Sequence, residues 1–112
     1  MKPLIYISGP YSAGDISSNV RNAISAGDYL ISKGFLAYVP HLSHFWHIMS
    51  PKPYSYWIEL DLRIIPVCTA LLRIPGYSAG ADKEVSLAVS LGKPIYYERF
   101  TLAEHYDRLC AH

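Results

Sequence analysis

The chain has 112 residues, of which 51% are hydrophobic and 17% are charged, and its formal net charge is +1 with histidine neutral. This length predicts one domain spanning 1–112, and the composition excludes a disordered chain. Because Lys and Arg are scattered singly and form no basic face, we expect small-molecule partners and no nucleic acid.

The first half of the chain alternates apolar runs with helical periodicity. Leu4–Ser8 is a short apolar run that ends at a Gly-Pro pair, which predicts a buried strand. A helix follows, with N-cap candidates over Asp15–Ser18 and an end at Lys33-Gly34. Phe35–Val39 is predicted as a second strand.

The second half begins with an irregular stretch, His41–Pro53, which we interpret as a long connection that can include one helical turn. Helical periodicity resumes at Tyr54, and Pro66 argues against its continuation past Ile65. The remaining predicted elements are a strand at Thr69–Ile74, a helix at Ala79–Leu91, a strand at Pro94–Tyr97 and a helix at Thr101–Cys110 capped by Thr101.

This alternation implies an α/β fold, a doubly wound parallel sheet joined by right-handed crossovers with helices on both faces. In such folds ligands bind at the carboxyl ends of the strands, where the strand order reverses. If the first and third strands flank that point, two loops rich in glycine and serine meet there. These loops are Gly9–Gly14 and Pro75–Gly80.

Two carboxylates interrupt apolar helix faces: Asp61, and Glu84, which shares a face with Ala81 and Ala88. A carboxylate facing a sheet is costly unless it is paired, so each either reaches solvent at the stripe's edge or belongs to a site. We expect Glu84 near its helix start, where the helix N-terminus and the Tyr6 hydroxyl can hold it ionised. A buried, oriented carboxylate suits a glycosyl-transferring nucleophile, and two converging carboxyls suit an acid–nucleophile pair.

Other polar features of the sequence indicate a binding site less specifically than the two carboxylates do. Backbone amides of the Gly9–Gly14 loop can bind an anion at a helix start, and a simple turn explains the same residues equally well. Ser78 in the facing loop can add a hydroxyl. His41, His44 and His47 recur at a spacing of three, but no Cys or close-set Asp or Glu completes a ligand set, so we predict neither a metal nor a cofactor.

Motifs distributed from Tyr6 to about Tyr97 match a known pattern: YISGP at 6–10, VPH at 39–41, ELD at 59–61, PGYSAGADKE at 75–84 and GKP at 92–94. Together they resemble the nucleoside 2-deoxyribosyltransferase-like superfamily, which includes the 2'-deoxynucleoside 5'-phosphate N-hydrolases. The resemblance implies a flavodoxin-like (Rossmann-like) sheet of four to five strands and a double-displacement mechanism.

The resemblance also implies roles for individual residues. Glu84 would attack C1' of the sugar, Tyr6 would orient and tune Glu84, and Asp61 would protonate the leaving base and then activate water or an acceptor base. Tyr11 and Ser12 stand in the region where the hydrolases carry an arginine. The 5'-phosphate-binding positions of the hydrolases fall on Gly9, Ser12, Gly14 and Ser78, and Gly80, His41 and Trp57 are further predicted substrate contacts, with Trp57 stacking on the base or packing in a lid.

From these residues we predict a metal-free hydrolase that releases the free base from a nucleoside or nucleoside 5'-monophosphate. Base exchange by a nucleoside (deoxy)ribosyltransferase is the alternative enzyme. A nucleotide-binding or sensing module without turnover is the alternative from another class. Because the resembled family is commonly oligomeric, we expect a homo-oligomer, a dimer or larger.

No apolar run approaches the about 18 residues that span a bilayer. The N-terminal sequence MKPLIYISG has too short an apolar run for a secretory signal. We therefore expect a cytoplasmic protein with no membrane partner, in which Cys68 and Cys110 are reduced thiols. Cys68, beside a strand start, is most simply a small buried apolar side chain.

Overall fold

The computed structural model describes residues 2–110, with side chains described for residues 2–107, and contains four parallel strands in one sheet. The strands are β1 (Leu4–Ser8), β2 (Leu36–Tyr38), β3 (Ala70–Arg73) and β4 (Ile95–Tyr96), in the order β2-β1-β3-β4. The chain order therefore reverses between β1 and β3, as predicted. The register pairs Ser8 with Arg73 at the carboxyl ends of these two strands, which places the switch point beside them.

Four α-helices and two short 3₁₀ turns connect the strands, and a fifth α-helix follows β4. The helices are α1 (Ile16–Ser32), α2 (Ser43–Met49), α3 (Tyr54–Ile64), α4 (Ala79–Ser90) and α5 (Arg99–Cys110), and the 3₁₀ turns are Pro40–Leu42 and Ile65–Val67. None of the helices in this described part of the chain combines the length and apolarity that a bilayer-spanning segment needs.

Side-chain alternation along β1 divides the core into two layers. Ile5 and Ile7 point to one face, where they pack against α1 and α5 through residues such as Leu30 and Leu102. Tyr6 lies in the other layer, on the side of α3 and α4, with Ala88. Helices thus cover both faces, and the predicted doubly wound α/β fold is confirmed. The same alternation puts Ser8 on the face of Tyr6, which becomes important at the site.

The strands β2, β3 and β4 are each one residue shorter at both ends than predicted, and two larger differences concern helices. The stretch 41–53 contains α2, a helix of seven residues rather than a single turn. The last helix begins at Arg99, so the prediction of a Thr101 cap is wrong. Glu98 lies before this helix, and its Oε1 accepts the Phe100 N–H at 3.0 Å, so a carboxylate supplies the terminal hydrogen bond that was expected from the threonine.

Cys68 is a buried free thiol, and burial raises the pKa of this thiol to about 11. It therefore packs as a small apolar side chain, as predicted. The Cys110 side chain lies outside the described residues.

Candidate active site

A cavity of about 600 Å³ lies at the carboxyl ends of β1 and β3, a size typical of small-molecule sites. The first loop, the α2–α3 region and the start of α4 form its walls. Eight of the ten predicted site residues line it: Gly9, Ser12, His41, Trp57, Asp61, Ser78, Gly80 and Glu84. Tertiary structure therefore brings together residues from three separate parts of the chain.

Gly14 and Tyr6 are the two predicted residues that do not line the cavity. Gly14 is exposed, has a φ of 83° and would meet no atom within 4 Å if it carried a Cβ. Its glycine is explained by the left-handed turn into α1, and the first loop contributes Tyr11 and Ala13 instead. Tyr6 is 0% exposed and lies behind Glu84, so it can act on a ligand only through that carboxylate.

The Glu84 carboxylate is only 5% exposed and is held by two hydroxyl donors from β1. Tyr6 Oη donates to Glu84 Oε2 at 2.5 Å, and Ser8 Oγ donates to Glu84 Oε1 at 2.7 Å. Each carboxylate oxygen thus has one protein donor, which fixes the orientation of the group. Sequence reasoning missed Ser8, although the period-two alternation of the strand places it on the same face as Tyr6.

Opposing effects act on the pKa of Glu84, and burial is the largest of them, so this pKa is raised overall. Burial raises the pKa of Glu84, while hydrogen bonds from Tyr6 and Ser8 and the positive charge of Arg73 lower it. Glu84 is the sixth residue of α4, beyond the first turn where a helix N-terminus acts on charge. The predicted contribution of the helix terminus is therefore replaced by side-chain donors and a buried cation.

Tyr6 remains a neutral donor in this arrangement. Burial raises the pKa of Tyr6 far above its ordinary value, and the negative charges of Glu84 and Asp61 raise this pKa further. A phenol that stays protonated can donate its hydrogen to Glu84 throughout the physiological pH range.

Asp61 lies on α3, half-buried in the wall of the same cavity as Glu84. Burial raises the pKa of Asp61 to about 7, and the negative charge of Glu84 contributes to the shift. A carboxyl with this pKa is partly protonated at neutral pH, so it can give a proton and later take one back. Burial raises the pKa of both carboxyls, but hydroxyl donors and Arg73 counter the rise at Glu84, whereas the charge of Glu84 adds to it at Asp61. Such a difference suits an acid and a nucleophile.

The two glycine-rich loops meet at close contacts next to the cavity. A Cβ on Gly9 would lie 2.9 Å from the Ile74 Cβ, and a Cβ on Gly76 would lie 2.7 Å from the Pro10 Cγ. Gly76 also has a φ of 123°, which strains any other residue. Glycine therefore lets the two loops approach and form one edge of the site.

Replacing Gly76 by alanine should lower the free energy of unfolding by about 2 kcal/mol or more, because backbone strain adds to the contact with Pro10. Gly14→Ala is the matched control, since Gly14 also has a positive φ but no neighbour within 4 Å. Urea unfolding of both variants measures the difference. Equal losses would mean that the loop–loop contact contributes nothing to stability.

Ser78 has a structural role as well as its position at the cavity. Its side chain is the N-cap of α4, because Oγ accepts the Ala81 N–H at 3.0 Å. Gly80 faces α3, where a Cβ would lie 2.9 Å from the Tyr54 Oη. Ser78 therefore also caps α4, and the missing side chain of Gly80 lets α4 approach α3.

The three histidines of the 41–47 segment bond to different partners. His41 Nε2 donates to the Pro10 carbonyl at 2.9 Å, His44 Nδ1 bonds to the Tyr11 hydroxyl, and His47 Nδ1 accepts from Trp57 Nε1 at 3.0 Å. Burial lowers the pKa of His41, and its Nδ1 has no hydrogen-bond partner among the described residues. Within residues 2–110 no group of three or more His, Cys, Asp or Glu is arranged to hold a metal ion. These contacts attach the segment 40–49 to the first loop and to α3.

The fold and the site define a flavodoxin-like α/β protein with two carboxyls in a cavity at the switch point of its sheet. Residues 3–98 match the model of a domain of unknown function, DUF7768, and the chain belongs to that family. Among solved structures, the 2-deoxyribosyltransferase of the psychrotolerant bacterium Bacillus psychrosaccharolyticus is similar, with a TM-score of 0.57 and 20% sequence identity; the match covers 82% of this chain and 69% of that one. This likeness shows a shared fold. No protein with a curated description matches the sequence.

Proposed function

We propose that this protein cleaves the N-glycosidic bond of a nucleoside or nucleoside 5'-monophosphate and releases the free base. The observation that carries the proposal is the buried Glu84 carboxylate, oriented by Tyr6 and Ser8 in the same cavity as Asp61. The name of the structural neighbour, a 2-deoxyribosyltransferase, supports a nucleoside as the substrate.

In the first step, one oxygen of Glu84 attacks C1' while the bond from C1' to the base nitrogen breaks. Protonated Asp61 gives its proton to the departing base, which leaves neutral. A covalent glycosyl ester of Glu84 and an ionised Asp61 remain. Burial favours this step, because the negative charge moves from the buried Glu84 to Asp61, which is only half-buried.

In the second step, Asp61 takes a proton from a water molecule, whose oxygen attacks C1' and breaks the bond to Glu84. The products are the free sugar or sugar phosphate, and both carboxyls return to their starting states. Base exchange follows the same route with an acceptor base in place of water. The two reactions therefore use the same residues and differ in which acceptor reaches the glycosyl ester.

We place the base against Trp57, which lines the cavity on α3. Its indole N–H is engaged by His47, and the Trp46 and Tyr56 rings pack edge-on at centroid distances of 5.6 Å and 5.1 Å. A ring held in this way offers a preformed apolar surface to a planar base.

A 5'-phosphate, where the substrate carries one, would bind at the Gly9, Ser12 and Ser78 side of the cavity. Among the lining residues that the structure describes, Lys52 is the one with a permanent positive charge. This cation supports a phosphorylated substrate even though Tyr11 and Ser12 stand in the region where the N-hydrolases carry an arginine.

Chromatographic detection of free base tests the proposal. The purified protein is incubated with nucleosides and their 5'-monophosphates, each with and without an acceptor base. We expect base release without an acceptor. A new nucleoside formed only in the acceptor samples would assign base exchange instead, and ligand binding without any product would favour a nucleotide-binding or sensing module and overturn the enzymatic proposal.

We also propose that the protein forms a homo-oligomer through α2, a helix in which none of the seven residues is buried. Its large apolar side chains are exposed: Phe45, Trp46, Ile48 and Met49, with Met49 at 86%. A cluster of this kind next to a cavity is typical of an interaction surface.

Sedimentation velocity should show a dimer or a larger species for the wild type and a smaller species for Met49→Glu. Ile31→Glu is the control, since Ile31 is exposed on α1, outside this surface. A monomeric wild type at high concentration, or equal effects of the two substitutions, would contradict the assignment of α2 as the interface.

A further inference from the structure

Arg73 is a buried cation at the carboxyl end of β3, 9% exposed and paired in register with Ser8 of β1. Its guanidinium donates to the carbonyls of Ile74 and Gly76, the latter at 2.9 Å, and to Asp82 Oδ1 at 3.3 Å. All of these acceptors lie in the β3–α4 connection or in the first turn of α4. One side chain therefore ties the end of the strand to the start of the helix that carries Glu84.

The charge of Arg73 is only partly compensated by these contacts. The two carbonyls are neutral, and the Asp82 side chain is 69% exposed, so water screens its negative charge. The Arg73 side chain, in contrast, is 10% exposed. The buried carboxylate of Glu84 lies two residues after Asp82 and is bonded by Ser8, the register partner of Arg73, and the charge of Arg73 acts to lower the pKa of Glu84.

Several groups act on Glu84 from the elements packed around it. Tyr6 and Ser8 approach from β1, Asp61 faces the same cavity from α3, and Arg73 approaches from β3. Tyr38 on β2 also interacts with the charge of Glu84, and neutral His41 lies in the cavity wall. In this set Arg73 is the permanent cation, and the charge of Glu84 raises the pKa of the second carboxyl, Asp61.

We propose that Arg73 is a positioning residue for the nucleophile: it holds the β3–α4 turn and places a fixed positive charge beside the Glu84 carboxylate. The inference rests on the proposed role of Glu84. Burial raises the pKa of Glu84, and Arg73 acts with Tyr6 and Ser8 to lower it. The planar guanidinium suits both tasks, because it donates to several acceptors at once and stays charged.

A carboxyl ¹³C NMR titration of Glu84 in glutamate-labelled protein tests the electrostatic role without requiring turnover. The chain has four glutamates, and Glu84→Gln assigns the signal by its loss. We expect Arg73→Met to raise the pKa of Glu84 and Arg73→Lys to restore it toward the wild-type value. Asp82→Asn is the matched control, since it removes the ion-pair partner but keeps the cation, and should not raise the pKa of Glu84.

An unchanged pKa of Glu84 in Arg73→Met, or the same increase in Asp82→Asn, would overturn the proposal. Circular dichroism checks that Arg73→Met is folded. If it is not, Arg73→Gln takes its place, because glutamine keeps a donor for the turn carbonyls without the charge, and the same increase is expected.

The pH profile of base release gives a second measurement. Loss of the positive charge should move the acid limb of the kcat/KM profile to higher pH. At pH values below that limb kcat/KM should fall about tenfold, and at higher pH the change should be smaller. A purely structural defect would instead lower the whole profile. Absence of base release from the wild type would refute the proposed function, while the NMR titration would still decide whether Arg73 controls the charge of Glu84.

Discussion

Replacement of Glu84 by glutamine is expected to reduce kcat/KM for base release by about 10⁴-fold or more, because the covalent route through the carboxylate is lost. Glutamine has nearly the same shape, but its amide NH₂ cannot accept a hydrogen bond. One of the two hydroxyl donors, Tyr6 or Ser8, therefore loses its acceptor. Chromatographic measurement of free base from each accepted substrate gives the rate.

The covalent intermediate can be tested separately from the rate. A nucleoside with fluorine at C2' destabilises the oxocarbenium-like transition state, and a good leaving base lets the first step outrun the second. Intact-protein mass spectrometry should then show one added glycosyl group in the wild type, located on the peptide that contains Glu84, and none in Glu84→Gln.

Glu59→Gln is the matched control for Glu84, since Glu59 is an exposed carboxylate that pairs with Arg63 on the surface of α3. It should retain wild-type rates. Comparable rates for wild type and Glu84→Gln, or a glycosyl group on another residue, would remove Glu84 from the mechanism.

Asp61→Asn is expected to lower kcat/KM by about 10²- to 10⁴-fold, the usual contribution of a general acid. In the proposed first step Asp61 must be protonated, and burial together with the charge of Glu84 raises the pKa of Asp61 to about 7. Wild-type kcat/KM should therefore fall as the pH rises above about 7. An asparagine side chain does not titrate, so this alkaline limb should disappear from the variant.

The leaving base provides an internal check on this role. A base that departs readily as an anion needs little protonation, so Asp61→Asn should impair its release much less than the release of a poor leaving base. Asp28→Asn, at an exposed position of α1, serves as the control and should behave as the wild type. An alkaline limb that persists in Asp61→Asn, or equal losses with both kinds of substrate, would assign the proton donor to another group.

Much of the fold could be predicted from local pattern alone. Apolar runs bounded by glycine and proline predicted the strands, apolar spacings of three and four predicted the helices, and their alternation predicted a parallel sheet with helices on both faces. These signals are local, because each depends on residues a few positions apart. Glu84 and Asp61 were recognisable for the same reason: each is a carboxylate on an otherwise apolar helix face.

The assembly of the site depended on tertiary structure. Tyr6 and Glu84 are 78 positions apart, and Ser8 and Glu84 are 76 apart, so their hydrogen bonds follow from sheet register and helix packing. The same long-range geometry buries Arg73 in register with Ser8, whose hydroxyl donates to Glu84. No local pattern marks such contacts, although the period of two along β1 would have indicated Ser8.

The sequence by itself thus determined the class of fold, the loops at the switch point and the two unusual carboxylates, because periodicity and turn residues act over a few positions. Only the tertiary structure decided that Glu84 and Asp61 share one cavity and that Gly14 lies outside it. It also decided that Tyr6 is buried outside the cavity and donates a hydrogen bond to Glu84. It also buries Arg73 at the end of β3 and places Glu84 at the sixth position of its helix, beyond the first turn. The physical reason is that burial and charge pairing depend on which distant segments pack together, and that packing is a property of the whole chain.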